Sequence, residues 1–193
     1  MRRVILPGLA VAVLLGCAPA PQTTTVYERY EQLKNGPALQ AAAAEPARRM
    51  RELDWMVGDW RTTITVFATA ASPESRETTT TSFHLVGDSI LASDDLSTIL
   101  TYDPFEHDWI SAGFEPPMAP LNNFRARWEG RRLVAEAPAR IFGETFVLRQ
   151  SLIRTGQNSF EILNEQRVKG DRFVPVDRYS FTRIVKPPQP PGQ

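Results

Sequence analysis

From Asp59 onward, apolar and polar residues alternate in short runs, and turn-forming pairs separate the runs. Trp60, Thr62, Ile64 and Val66 fall on one side of an extended chain, and Arg61, Thr63, Thr65 and Phe67 on the other. This rhythm predicts strands over residues 59–67, 77–86, 89–93, 96–102, 108–114, 122–128, 132–136, 144–153, 159–168 and 173–184. Gly87-Asp88, Asp103-Pro104, Glu129-Gly130, Gly156-Gln157 and Gly170-Asp171 mark tight turns between them. Upstream the period is helical. Tyr27, Tyr30 and Leu33 share a face over residues 26–34, Gly36-Pro37 interrupts, and the Ala-rich run 38–44 is helix-prone. Pro46 suits the first turn of a further helix reaching about Met56, with Met50, Leu53 and Val57 on one face. Gly58 then supplies the turn into the first strand. The fold class is therefore mainly β: an antiparallel up-and-down barrel of about ten strands, preceded by a short helical segment. A sandwich is the alternative, and the chain has no βαβ rhythm. Residues 115–120 and 137–143 read as loops long enough to fold over a barrel mouth.

Particular residues give the barrel a family resemblance. Gly58-Asp59-Trp60, at the entry to the first strand, resembles the opening signature of the lipocalins and related calycin barrels. The resemblance implies that Trp60 plugs one end of the barrel and that an Arg of the last strand packs across it. In that strand Tyr179, Phe181 and Arg183 share one face, which makes Arg183 the candidate and Arg178, on the opposite face, the runner-up. Gly58, Trp60 and Arg183 are the expected barrel-closure set. Thr101-Tyr102-Asp103-Pro104, followed by Trp109, is similar to a strand–turn–strand signature of a bacterial family of lipocalin-like domains, often secreted; the match would cover about residues 48–184. It implies a fold and no catalytic residue.

The first residues read as a targeting segment. Arg2 and Arg3 precede an apolar stretch, 4–15, that is short for a spanning helix. Leu14-Leu15-Gly16-Cys17 resembles a bacterial lipobox, which implies that residues 1–16 are a lipoprotein signal peptide and that Cys17 carries the lipid. By the same resemblance Ala18 implies sorting to the outer membrane, facing the periplasm. Residues 17–37 are then a flexible tether, 38–185 the helix-plus-barrel domain, and 186–193 a Pro-rich disordered tail. The 193-residue chain has equal numbers of basic and acidic side chains, so no nucleic-acid footprint is indicated. Cys17 is its single cysteine, and stability must come from packing rather than a disulfide.

Four stretches invite a chemical reading. Gly87-Asp88-Ser89 looks like the nucleophile block of GDSL esterases, but the chain has two histidines, His84 and His107, none after 107, and lacks that family's Asp-x-x-His near the C-terminus; a hairpin turn is the better reading. Glu106-His107-Asp108 follows a turn, where neighbours diverge, and reads as solvated rather than metal-binding. His84 lies on a strand face with Thr78, Thr80 and Ser82, opposite Phe83 and Leu85, and the face with Phe83 is expected to point inward. Arg125, Arg127, Arg131 and Arg132 surround Trp128 and read as an outer face balanced by acids on adjacent strands. No phosphate loop, dinucleotide fingerprint or zincin motif is present, and no cofactor or metal is expected.

The expected function is binding of a small apolar or amphipathic ligand inside the barrel, by a cell-envelope protein anchored to the membrane through its lipid. The apolar members of the alternating runs are the candidate lining: Ile64, Phe83, Leu100, Phe114, Phe124, Phe146, Leu148 and Phe160. The alternatives are an envelope interaction module with a filled barrel, and a hydrolase or isomerase working at the barrel mouth.

Overall fold

The computed structural model describes residues 25–115 and 119–185. The signal segment, Cys17, residues 116–118 of the first expected mouth loop and the Pro-rich tail lie outside the described residues. The chain divides into two compact units, Met1–Leu39 and Gln40–Gln193. The described part of the first holds helix α1 (Val26–Leu33), which falls within the span expected to be a flexible tether. Thr25 starts it with a reciprocal cap: its hydroxyl accepts from the Glu28 N–H at 3.2 Å, and the Glu28 carboxylate accepts from the Thr25 N–H at 2.6 Å.

Helix α2 (Pro37–Met50) runs through Pro46, so the expected helix start at Pro46 is an interior position instead. Proline costs the helix one N–H bond there. Ion pairs span the site: Glu45 pairs with Arg48 and, at 3.0 Å, with Arg49, which also reaches Glu52 at 2.8 Å. A 3₁₀ helix, η1 (Arg51–Met56), continues to the first strand. Its three-residue turn explains which side chains are buried. Met50, Leu53 and Met56 are spaced by three and are all inside, whereas Val57 is only half-buried.

Ten antiparallel strands follow: β1 (Gly58–Val66), β2 (Ser75–Val86), β3 (Ile90–Ser93), β4 (Ile99–Asp103), β5 (Asp108–Glu115), β6 (Ala119–Glu129), β7 (Arg132–Ile141), β8 (Glu144–Gly156), β9 (Ser159–Arg167) and β10 (Phe173–Arg183). Each pairs with its sequence neighbour, and β10 returns to β1 to close the barrel, with Trp60 opposite Arg183 in the closing register. The expected fold class is thus the observed one.

Three differences from the sequence reading have local causes. The expected second mouth loop is mostly strand. Ala137, Pro138, Ala139 and Arg140 pair with Leu148, Val147, Phe146 and Thr145. Past Ala135 the β6 ladder has ended, so Pro138 sits where a strand is paired on one side only, the condition under which proline is tolerated. The Asn122 side chain replaces the missing ladder, accepting from the Arg140 N–H at 3.0 Å and donating to its carbonyl at 3.3 Å. The first expected loop is likewise shortened, because β6 begins at Ala119. Finally, β4 starts at Ile99, not at Leu96, which lies in a turn with φ +60° and is exposed. Asp95 organises that turn by accepting from the Ser93 hydroxyl at 2.7 Å and the Ser97 N–H at 3.0 Å.

Candidate functional site

Inward side chains stack in layers from one barrel end to the other, and the layers differ in chemistry. The end where β1 begins is sealed. Trp60 is fully buried and its indole N–H donates to the Met56 carbonyl at 2.7 Å. The Arg183 guanidinium lies 4.2 Å from the Trp60 ring centroid. It also donates to the Val57 carbonyl at 2.9 Å and to the Trp55 carbonyl, tying the last strand to the end of η1. Gly58 has φ +125°, and a Cβ there would stand 2.7 Å from an Arg183 nitrogen, so the turn into β1 needs glycine twice over. Above this cap, Phe160 meets Trp60 edge-on at 4.7 Å and stacks on Phe181 at 4.1 Å, while Phe83 packs edge-on to both phenyl rings. Leu100, Leu133, Leu152 and Ile162 form the next layer, with a void of only about 10 Å³ between them.

The interior turns polar halfway up. The Ser111 hydroxyl donates to Gln150 at 2.9 Å, the Gln150 amide to Asn164 at 3.2 Å, and the Asn164 amide to an Asp177 carboxylate oxygen at 2.7 Å. Four strands contribute to this chain, and the register places Gln150 beside Asn164 and Asn164 beside Asp177. A β-bulge between Pro175 and Asp177 sets the phase of β10, so Val176 and Asp177 both face inward. Burial pushes the Asp177 carboxyl above the usual carboxylate range, and the Asn164 amide offsets only part of that.

Above the polar layer the barrel is hollow. A cavity of about 280 Å³ opens toward the mouth, with Phe124, Ile141, Phe146, Leu148, Val176 and Tyr179 in its wall. A side space of about 70 Å³ shares Gln150, Asn164 and Tyr179 with it and reaches Thr62, Ile64 and Phe83. The hollow has a sequence cause. On β5 the cavity wall carries small residues, Ser111, Ala112 and Gly113, where the sealed end has rings. Gly113 is also where the β3–β4 turn leans in: a Cβ would lie 2.5 Å from the Ser97 carbonyl oxygen, and the Phe114 N–H donates to the Leu96 carbonyl at 3.2 Å.

The expected lining residues therefore separate into groups. Phe124, Phe146 and Leu148 line the large cavity, and Ile64 and Phe83 the side space. Leu100 borders the small void, and Phe160 is packed inside the sealed end. Phe114 is a correction: it is out of phase with inward Trp109, Ser111 and Gly113 and is 42% exposed. The polar lining went unselected in the sequence reading, although Gln150 is in phase with Phe146 and Leu148, and Asn164 with Phe160 and Ile162.

The other chemical stretches lie outside this cavity. His84 is exposed and meets Asp94 at 3.3 Å, while Phe83 beside it points in. Gly87, with φ +65°, turns β2 into β3. Asp108 lies buried beneath Arg127, which grips it with two bonds of 2.6 and 3.0 Å, and Arg125 approaches at 3.4 Å. The Arg127 hydrogen bonds hold the Asp108 carboxyl below the usual range. These pairs, with Arg149 on Glu136 at 2.9 Å, occupy a broad depression of about 410 Å³ on the outer wall. Among the described residues, no group of three or more His, Cys, Asp or Glu side chains is placed to hold a metal.

Fold and site together define a closed ten-stranded antiparallel barrel, sealed at one end and hollow at the other. No protein-family model matches the chain, and no curated protein does. Among solved structures, a redesigned β-barrel aligns over 68% of this chain and 93% of its own, at 10% identity and a TM-score of 0.30. That likeness is too slight to carry an argument, and the fold stands on the strand pairing itself.

Proposed function

We propose that this protein binds a small amphipathic ligand in the upper half of its barrel. The observation that carries this reading is the cavity of about 280 Å³, with an apolar wall above a polar floor, in a barrel whose other end is sealed. It favours a ligand carrier over an interaction module with a filled barrel. It also gives little support to hydrolysis or isomerisation, since among the described residues that line the cavity there is no His, Cys or Lys. The test is to fill the space. Leu148→Trp is expected to weaken binding of a short alkyl ligand by about tenfold or more while the melting temperature stays near that of the parent. Native mass spectrometry of the purified chain should find a co-purified small molecule in the parent and not in this variant. Unchanged binding by a folded Leu148→Trp protein would count against the site.

We place the protein in the bacterial cell envelope, at the outer membrane facing the periplasm, on the strength of the lipobox-like run ending at Cys17. Cys17→Ser is expected to move the protein from the membrane to the soluble fraction or to leave an unprocessed form. Fractionation identical to the parent would overturn the anchor.

A further inference from the structure

Resting on that ligand reading, we propose that the cavity selects amphiphiles whose polar end is a cation, with an alkylammonium head seated against Asp177. Among the described residues lining the large cavity, Asp177 is the one charged side chain, and no Lys, Arg or His is with it. The polar floor points the same way. Ser111, Gln150 and Asn164 each donate to the next, and the chain of donors ends on the Asp177 carboxylate. It thus presents net negative character at the bottom of the cavity, where a ligand head would arrive with its tail toward the apolar wall. Aromatic rings of Phe124, Phe146 and Tyr179 line the same space and offer their π-faces to an ammonium. An anionic head, such as a carboxylate, would instead be buried beside a like charge.

The surroundings of Asp177 sharpen this. Val66 is its partner on β1 and Asn164 its partner on β9, and Leu148, Gln150 and Gln166 line the same cavity, none of them titratable. Tyr179 on β10 and Asp95 on the β3–β4 turn are the titratable neighbours of the space. Burial works to raise the Asp95 carboxyl, but the Ser93 hydroxyl and the Ser97 N–H outweigh it and hold Asp95 below the usual range. At Asp177 burial outweighs the Asn164 amide and raises the carboxyl. A cation arriving in the cavity relieves that cost, which is a gain open to an ammonium and closed to a neutral or anionic head.

The experiment is a calorimetric titration of the full chain with n-octylamine, 1-octanol and sodium octanoate. The cavity volume corresponds to about nine water-sized groups, and each of these probes has close to that many non-hydrogen atoms. Octylammonium is expected to bind about tenfold tighter than octanol, and octanoate most weakly. In Asp177→Asn, octylammonium should fall to the level of octanol while octanol binding holds. Where that variant does not fold, the native protein supplies the same test. As pH falls from neutral through the raised Asp177 value, the carboxylate is lost while the amine stays charged, so the preference for octylammonium over octanol should disappear. Octanoate binding as tightly as octylammonium, or a cation preference that survives both Asp177→Asn and acid, would overturn the charge selection and leave the hollow site standing. Failure of all three probes to bind would overturn both this inference and the ligand reading beneath it.

Discussion

Trp60→Ala is expected to lower the unfolding free energy by about 3–5 kcal/mol, the range for removing a fully buried large ring. Three interactions go at once. The indole fills the sealed end with no exposure, supports Phe160 edge-on at 4.7 Å, and satisfies the Met56 carbonyl through a 2.7 Å hydrogen bond. The space left cannot collapse easily, because the strands on either side are fixed in closed ladders. Trp60→Phe should cost less, since a ring remains and mainly the Met56 carbonyl loses its donor. Urea unfolding followed by far-ultraviolet circular dichroism measures both. A loss of well under 1 kcal/mol for the alanine variant would mean that the ring does not seal the end.

Arg183→Ala is expected to cost about 2–3 kcal/mol, more than the loss of an exposed terminal charge. The guanidinium is the donor for the Val57 and Trp55 carbonyls and lies 4.2 Å from the Trp60 centroid, so truncation orphans two main-chain acceptors and uncovers the indole. Arg183→Lys should recover only part of the loss, because a single ammonium cannot bond two carbonyls and lie flat over a ring as a planar fork does. With Trp60→Ala, the two changes should be coupled by about 0.5–3 kcal/mol in a double-mutant cycle. Strict additivity would show that the two side chains act separately.

Much of the barrel is legible in the sequence because a period of two is hard to mistake when turns punctuate it. Gly87-Asp88 and Gly170-Asp171 fall between observed strands, and Gly130 directly follows the last residue of β6. The Trp60–Arg183 juxtaposition is also legible, since closure forces the first and last strands together. Where the reading departs from the structure, a local rule was outweighed. Proline signals a break, yet Pro46 and Pro138 sit inside a helix and a strand, the latter because its β6 neighbour has ended. The site was half legible. Choosing apolar members of each alternating run found Phe124, Phe146 and Leu148 but passed over Gln150, Asn164 and Asp177, which share inward phases. Inward polar positions were the signal, because polar side chains inside a barrel must find hydrogen-bond partners, and here they find one another. The bulge that sets Asp177 beside Val176 leaves no mark in the alternation, and the small void and the filled layers differ by ring contacts that a linear pattern does not encode.

Nine of the ten ladders join strands that are neighbours in sequence, and one, β1 to β10, joins the two extremes. That difference sets the entropic cost of each closure. Each hairpin closes a short loop at little entropic cost, whereas the Arg183–Val57 hydrogen bond spans 126 residues. Meandering hairpins can thus assemble one after another along the chain, and the seam forms only when the rest of the sheet has curled far enough to bring its edges together. The same seam carries the Trp60–Arg183 seal, so the interaction that shuts the barrel end also rewards the slowest encounter, and a substitution there acts chiefly on how fast the closed barrel reopens.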